Sequence, residues 1–270
     1  MNRIVGSILF IIFVQSISFA QIRYERLEVK ARQPFTITGS DILVVDTLIM
    51  RDSARIILNP AIRENIINAK VAIIGKGCII FGKGAAGEQG KVGIVGIREG
   101  APCRNGGNGS DGLNGNVGKD GLNLSLYLGT LKIKGSLIVD LNGGDGGDGG
   151  RGGRGGDGGS GTRVCRGGNG GDGGNGGNGS NGGSGGNATI ICKKCSDLHL
   201  LNGHQLLIKT YGGFAGTGGE GGNGGQSGLG PTQDGRNGKR GTAGANGIVG
   251  KTGIISFEAP AIKTESDNNK

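Results

Sequence analysis

Short apolar runs, each closed by a turn-forming residue, pattern the first third of the chain. Residues 35–39 alternate, with Phe35 and Ile37 against Thr36 and Thr38. Residues 42–50 are apolar and β-branched, and residues 56–58 stop at Asn59 and Pro60. Two more runs, 71–74 and 78–81, are parted by Gly75 and Gly77. This pattern predicts strands and turns of an all-β fold. After the N-terminal leader, no segment keeps a helical period. Apolar segments return at 122–128, 131–141, 188–191, 206–208 and 254–257.

Between those segments Gly recurs every third residue. It stands at 84, 87, 90, 93 and 96, breaks phase over 97–105, and resumes at 106, 109, 112, 115, 118 and 121. The same happens over 143–159, a break at 162–166, and 167–186. It happens again over 213–228, a break at 229–234, and 235–253. A flexible linker has no reason to hold phase. A period of three is that of a polyproline-II-like helix rising about 3.1 Å per residue, so an arm of about six triplets reaches about 55 Å. Such a helix has no internal hydrogen bonds, so its backbone groups need neighbours or water. Gly, lacking Cβ, lets neighbouring backbones approach. Hairpin two is Gly-Gly-x throughout and hairpin one mostly Gly-x-x, while the return arm of hairpin three is again Gly-x-x. Chains bare on two sides belong inside, so the order one, two, three is expected with hairpin two central.

The spacers 122–142 and 187–211 have the length of one solenoid coil. The expected fold is therefore all-β, a small parallel β-solenoid with three projecting Gly-rich hairpins that form a polyglycine-II helix bundle. A β-sandwich carrying the same loops and a collagen-like trimer are the alternatives. The organisation follows: 1–20 a signal peptide, 21–81 the solenoid start, 82–253 the hairpins (84–121, 143–186, 213–253) alternating with solenoid strands, and 254–270 a last strand and polar tail.

Composition sharpens this. All but four of the 65 Gly lie between Gly82 and Gly253, and there are only 5 Pro, no Trp and 4% aromatics. Collagen needs far more Pro, and an enzyme-type apolar pocket needs more core. Arg3, the apolar run 4–14 and Ser18-Phe19-Ala20 read as a leader cleaved before Gln21. No other apolar run has membrane length, so no transmembrane segment is expected in the mature chain. The formal net charge is +9, and Arg3 leaves with the leader. Few aromatics stand near the Gly-rich region, which argues against nucleic acid and for acidic surface polymers as partners.

Five Cys in an exported chain point to disulfides with one thiol left over. Cys103 and Cys165 lie in turns one and two, which meet if the hairpins are adjacent. Cys192 and Cys195 form a bridge within the pair or to Cys78, and this remains open. No second Cys pair is nearby for zinc, and no βαβ context supports a redox motif. Asp145, Asp148, Asp157 and Asp172 lack the apolar neighbours of a calcium β-roll and read as a solvated face balanced by Arg151 and Arg154. His199 and His204 stand in no catalytic arrangement. No catalytic residue, metal or cofactor is expected, and the chain does not read as an enzyme. The turns are basic: Arg98, Arg104, Arg163, Arg166, Arg236, Lys239 and Arg240 against Glu99 and Asp234. They are the candidate ligand-binding residues.

In triplet phase, composition and register breaks, residues 82–253 resemble polyglycine-II bundle proteins, namely the snow flea antifreeze proteins and certain phage tail-tip adhesins. They also resemble exported bacterial proteins described as collagen-like. The resemblance implies a rigid secreted scaffold displaying variable tips, or a flat ice-binding face. The expected function is a secreted or cell-surface scaffold presenting basic tips to an acidic polysaccharide. Its expected place is outside the cell, at the cell surface or in the periplasm. Ice binding and a collagen-like trimeric structural role are the alternatives.

Overall fold

The computed structural model describes residues 21–195 and 198–258, without the side chains of His199 and Leu200. The leader and the polar tail from residue 259 lie outside the described residues. The strands are β1 (Ile22–Val29), β2 (Pro34–Thr36), β3 (Ile42–Met50), β4 (Arg55–Ile57), β5 (Glu64–Ile74), β6 (Cys78–Phe81), β7 (Asn123–Ile133), β8 (Leu137–Asp140), β9 (Ala188–Cys192), β10 (Leu206–Lys209) and β11 (Ile255–Glu258). One helical turn, α1 (Leu198–Leu201), stands between β9 and β10. No helical period in the sequence announces it.

Odd-numbered strands form a six-stranded sheet in the order β1-β3-β5-β7-β9-β11, and even-numbered strands β2 to β10 form a five-stranded one. Every pairing is parallel. The chain thus coils as the expected β-solenoid, one long and one short strand per turn. Like side chains stack in columns along it, because parallel register places equivalent residues side by side. One column runs Ile22, Leu43, Ile67, Leu126, Ile190 and Phe257. Another runs Phe35, Ile56, Ile80, Val139 and Ile208.

Each long strand bends. In β5 the buried positions are Asn65, Ile67 and Ala69, then Ala72 and Ile74. The alternation slips by one at Lys70, as it does in β3 between Val45 and Leu48. Pairing is interrupted at the same level in successive coils, at Glu25, Asp46, Lys70 and Gly129. This bend folds the apolar face inward twice per coil and closes a core from short strands.

The first two coils close through short loops. The next three leave the solenoid at one corner, after β6, β8 and β10, and return to β7, β9 and β11. Those excursions are the three hairpins.

Candidate functional site

The hairpins form a two-layer bundle of six arms. The outgoing arms (84–96, 143–159, 213–228) lie in one layer and the return arms (106–121, 167–186, 235–253) in the other. Hydrogen bonds advance three residues at a time. Gly87, Gly90 and Gly93 donate to the carbonyls of Asp145, Asp148 and Arg151 in the neighbouring outgoing arm. Gly146, Gly149 and Gly152 in that arm donate onward to Phe214, Thr217 and Glu220. Between layers, Gly174 donates to Gly153, Gly153 to Ser110, and Gly222 to Gly174. Hairpin two has neighbours on both sides, and hairpins one and three are the edges, as the triplet pattern predicts.

The arm glycines are not there for unusual dihedrals. Among the described residues the positive-φ Gly are Gly39, Gly77 and Gly203, none of them in an arm. Space is the reason. A Cβ at Gly152 would fall far inside contact with the carbonyl oxygen of Gly174, and one at Gly174 would meet that of Ser110.

The third residue of each triplet also has a task. Two of the three N–H groups in a Gly-Gly-x triplet bond to neighbouring arms, and the N–H of x is left over. In the second return arm and in hairpin three, a neighbouring Asn or Asp side chain accepts such an N–H. Asn105, Asn108, Asp111, Asn114 and Asp120 of the first return arm accept from Asn169, Asp172, Asn175, Asn178 and Ser184 of the second. Asn169, Asp172, Asn175, Asn178 and Asn181 then accept from Arg236, Lys239, Thr242, Ala245 and Ile248 of the third. In the outgoing layer Asp145, Asp148 and Asp157 accept from Phe214, Thr217 and Gln226. Thr217 adds its hydroxyl, and these two bonds hold the Asp148 carboxyl below its ordinary range. These Asp are half-buried or exposed, as a solvated face would be, and each also accepts a backbone N–H. They are acceptors in a side-chain ladder, and among the described residues Arg154, not Arg151, makes an ion pair, 2.7 Å from Asp157.

At the far end the three turns meet. Cys103 and Cys165 are bonded, with Cα atoms 6.0 Å apart. The Cys103 N–H donates to Ser160, that of Gly161 to Leu229, and that of Gly167 to Gln233. Cys103 itself has φ 66°, a left-handed conformation rare for a residue with a side chain. The other bridge is Cys192–Cys195, Cα atoms 5.5 Å apart. Cys78 is the leftover thiol, buried in the core, and desolvation there pushes its pKa up. The two bridges fit an oxidising compartment.

All seven candidate basic residues are exposed. Arg104, Arg163, Arg166 and Arg236 lie in or next to the turns. Arg98 is 3.9 Å from Asp157, which Arg154 already contacts, so its charge is shared. Lys239 and Arg240 lie further along the return arm, and the Arg240 guanidinium turns to the carbonyl of Gly221. Asp234 is occupied by the N–H of Gly230. Beside the tips, a hollow of about 320 Å³ is lined by Asn105, Asn108, Asn169, Asp172, Arg236 and Lys239 among others. His204 stands in an exposed turn, its N–H bonded to Leu201. The His199 side chain lies outside the described residues. No group of three or more His, Cys, Asp or Glu side chains among the described residues is placed to hold a metal. No described helix is long and apolar enough to cross a membrane.

No family model and no curated protein matches the sequence. Among solved structures, the chain is 26% identical to a springtail antifreeze protein from Granisotoma rainieri, described as a nine polyproline type II helical bundle. The match covers 63% of this chain and 93% of that one, with a TM-score of 0.10, at which no common fold is established.

Proposed function

We propose that the protein is a secreted or cell-surface scaffold whose stiff bundle presents its joined tips to an acidic polysaccharide. The observation that supports this reading is the union of three turns, through a disulfide and backbone hydrogen bonds, under exposed Arg104, Arg163, Arg166 and Arg236. Functional groups on loops held by a rigid framework are a frequent arrangement. Arginine suits the task because its planar fork grips carboxylate or sulfate with two parallel hydrogen bonds. Retention of the mature protein on an acidic polysaccharide column is the test. Retention should fall as salt is raised, since exposed charges are screened over about 8 Å at physiological ionic strength. Changing Arg104, Arg163 and Arg236 together to Glu should abolish it with thermal stability unchanged. Retention that survives this triple reversal refutes the reading.

A further inference from the structure

The solenoid bears a second, independent feature at its bend. Outward side chains stack there in a column: Glu25, Asp46, Lys70, then Gly129. The pairing of Leu128 with Cys192 places Lys193 next, beside Gly129. Its N–H donates to Leu128, and that of Lys194 to Gly129. Gly129 therefore leaves a gap in the column between two lysines. The gap is fixed, because a Cβ at Gly129 would fall far inside contact with the carbonyl oxygen of Lys70.

Around the gap is a hollow of about 450 Å³, within the range of small-ligand sites. The row Lys70, Gly129, Lys193 forms one side, and the cross-strand row Asn68, Tyr127, Ile191 the other. Tyr127 is 39% exposed, and its hydroxyl has no hydrogen-bond partner among the described residues. Lys70 lies 2.9 Å from Asp46, while Lys193 and Lys194 make no ion pair among the described residues. Of the two lysines that line the hollow, Lys193 is thus the one with no carboxylate partner among the described residues. The Cys192–Cys195 bridge closes the turn that carries Lys193 and Lys194, which gives that motif a positioning role.

We propose that this hollow binds a sugar acid, a hexuronate unit of a glycan. The apolar C–H face of the sugar ring lies on Tyr127. Its carboxylate sits over Gly129, between Lys70 and Lys193, whose coils are two spacings, or about 9.6 Å, apart. The Asn68 amide and Tyr127 hydroxyl serve the ring hydroxyls. An aromatic ring, an amide and the unpaired Lys193 side by side fit this ligand better than a bare inorganic anion, which has no use for the ring. The site lies on the solenoid and does not depend on the tips binding anything.

The test is calorimetric titration with trigalacturonate, and with neutral trigalactose as control. It uses the mature protein and the same protein carrying the Arg104, Arg163 and Arg236 to Glu reversal. The tip-reversed protein should still bind trigalacturonate at one site and trigalactose at least tenfold more weakly. In that background Tyr127→Ala and Lys193→Glu should each weaken binding at least tenfold, and Tyr127→Phe less than threefold. Trigalacturonate should also shift the amide resonances of Gly129 and Lys193 in the unaltered protein, which decides the matter if Tyr127→Ala does not fold. Binding lost with the tip reversal alone, equal binding of both sugars, or unmoved Gly129 and Lys193 amides overturns the proposal.

Discussion

Within a triplet the two kinds of position are held by different forces. Gly174 stands where its Cα faces a neighbouring backbone, and its N–H bonds to Gly153 while its carbonyl accepts from Gly222. Adding a side chain forces apart arms whose spacing those bonds set. Asp148 points outward and accepts from Thr217. Gly152→Val or Gly174→Val should therefore cost at least about 3 kcal/mol, the overpacking penalty plus lost hydrogen bonds. Asp148→Val forfeits only exposed hydrogen bonds and should cost about 0.5–1.5 kcal/mol. Urea denaturation separates the two cases. Equal losses at both kinds of position would contradict backbone-to-backbone packing.

An arm is stable only through its neighbours, and the Asn/Asp ladder is the part of that dependence carried by side chains. Asp111, Asp120 and Asp172 show that a carboxylate serves as well as an amide. Asn175→Asp, Asn178→Asp and Asn181→Asp made together should thus leave the neutral-pH melting temperature near that of the wild type. The new charges are three residues apart, about 9 Å, and exposed, so salt screens much of their repulsion. The corresponding triple Ala variant should lose about 1.5 kcal/mol, about 0.5 for each exposed N–H set free. A triple Ala variant as stable as the triple Asp variant would remove the ladder from the account. The arms, the hairpin order and the Cys103–Cys165 contact were legible because a three-residue phase leaves no other register. The ladder was not, since an exposed Asp reads as solvated until its partner arm is known. Nor was β1, whose outward-facing Arg23, Glu25 and Arg26 mask the apolar alternation, or the first half of β5, where the slip at Lys70 breaks the period. The hollow at Gly129 was hidden for the same reason. Tyr127 and Lys193 are 66 positions apart in sequence and meet only through a coil that contains hairpin two.

The whole molecule is two structures sharing a chain. The solenoid has its own apolar core, with Leu43, Ile67, Leu124 and Val139 among its fully buried side chains. The bundle has almost none and is held by backbone bonds. The loop between β4 and β5, residues 58–63, shows that six residues suffice to close a coil. Any hairpin can therefore be replaced by such a loop without breaking the stack of strands. Hairpin two supplies the bundle neighbours of both others, since Gly87 to Gly96 donate into its outgoing arm and Gly213 to Gly228 into its return arm. Removing hairpin three leaves hairpins one and two still bonded to each other. Removing hairpin two leaves hairpins one and three with only their own paired arms, and Gly loses more freedom on ordering than any other residue. Hydrogen exchange over the remaining arms is the measurement. With hairpin three excised, Gly109 to Gly118 should keep slow exchange. With hairpin two excised, those amides should exchange within the dead time while Ile67 and Leu126 in the solenoid stay protected. Protected arms in that variant would mean that a single Gly hairpin is ordered alone, and the bundle would then not be the source of its own rigidity.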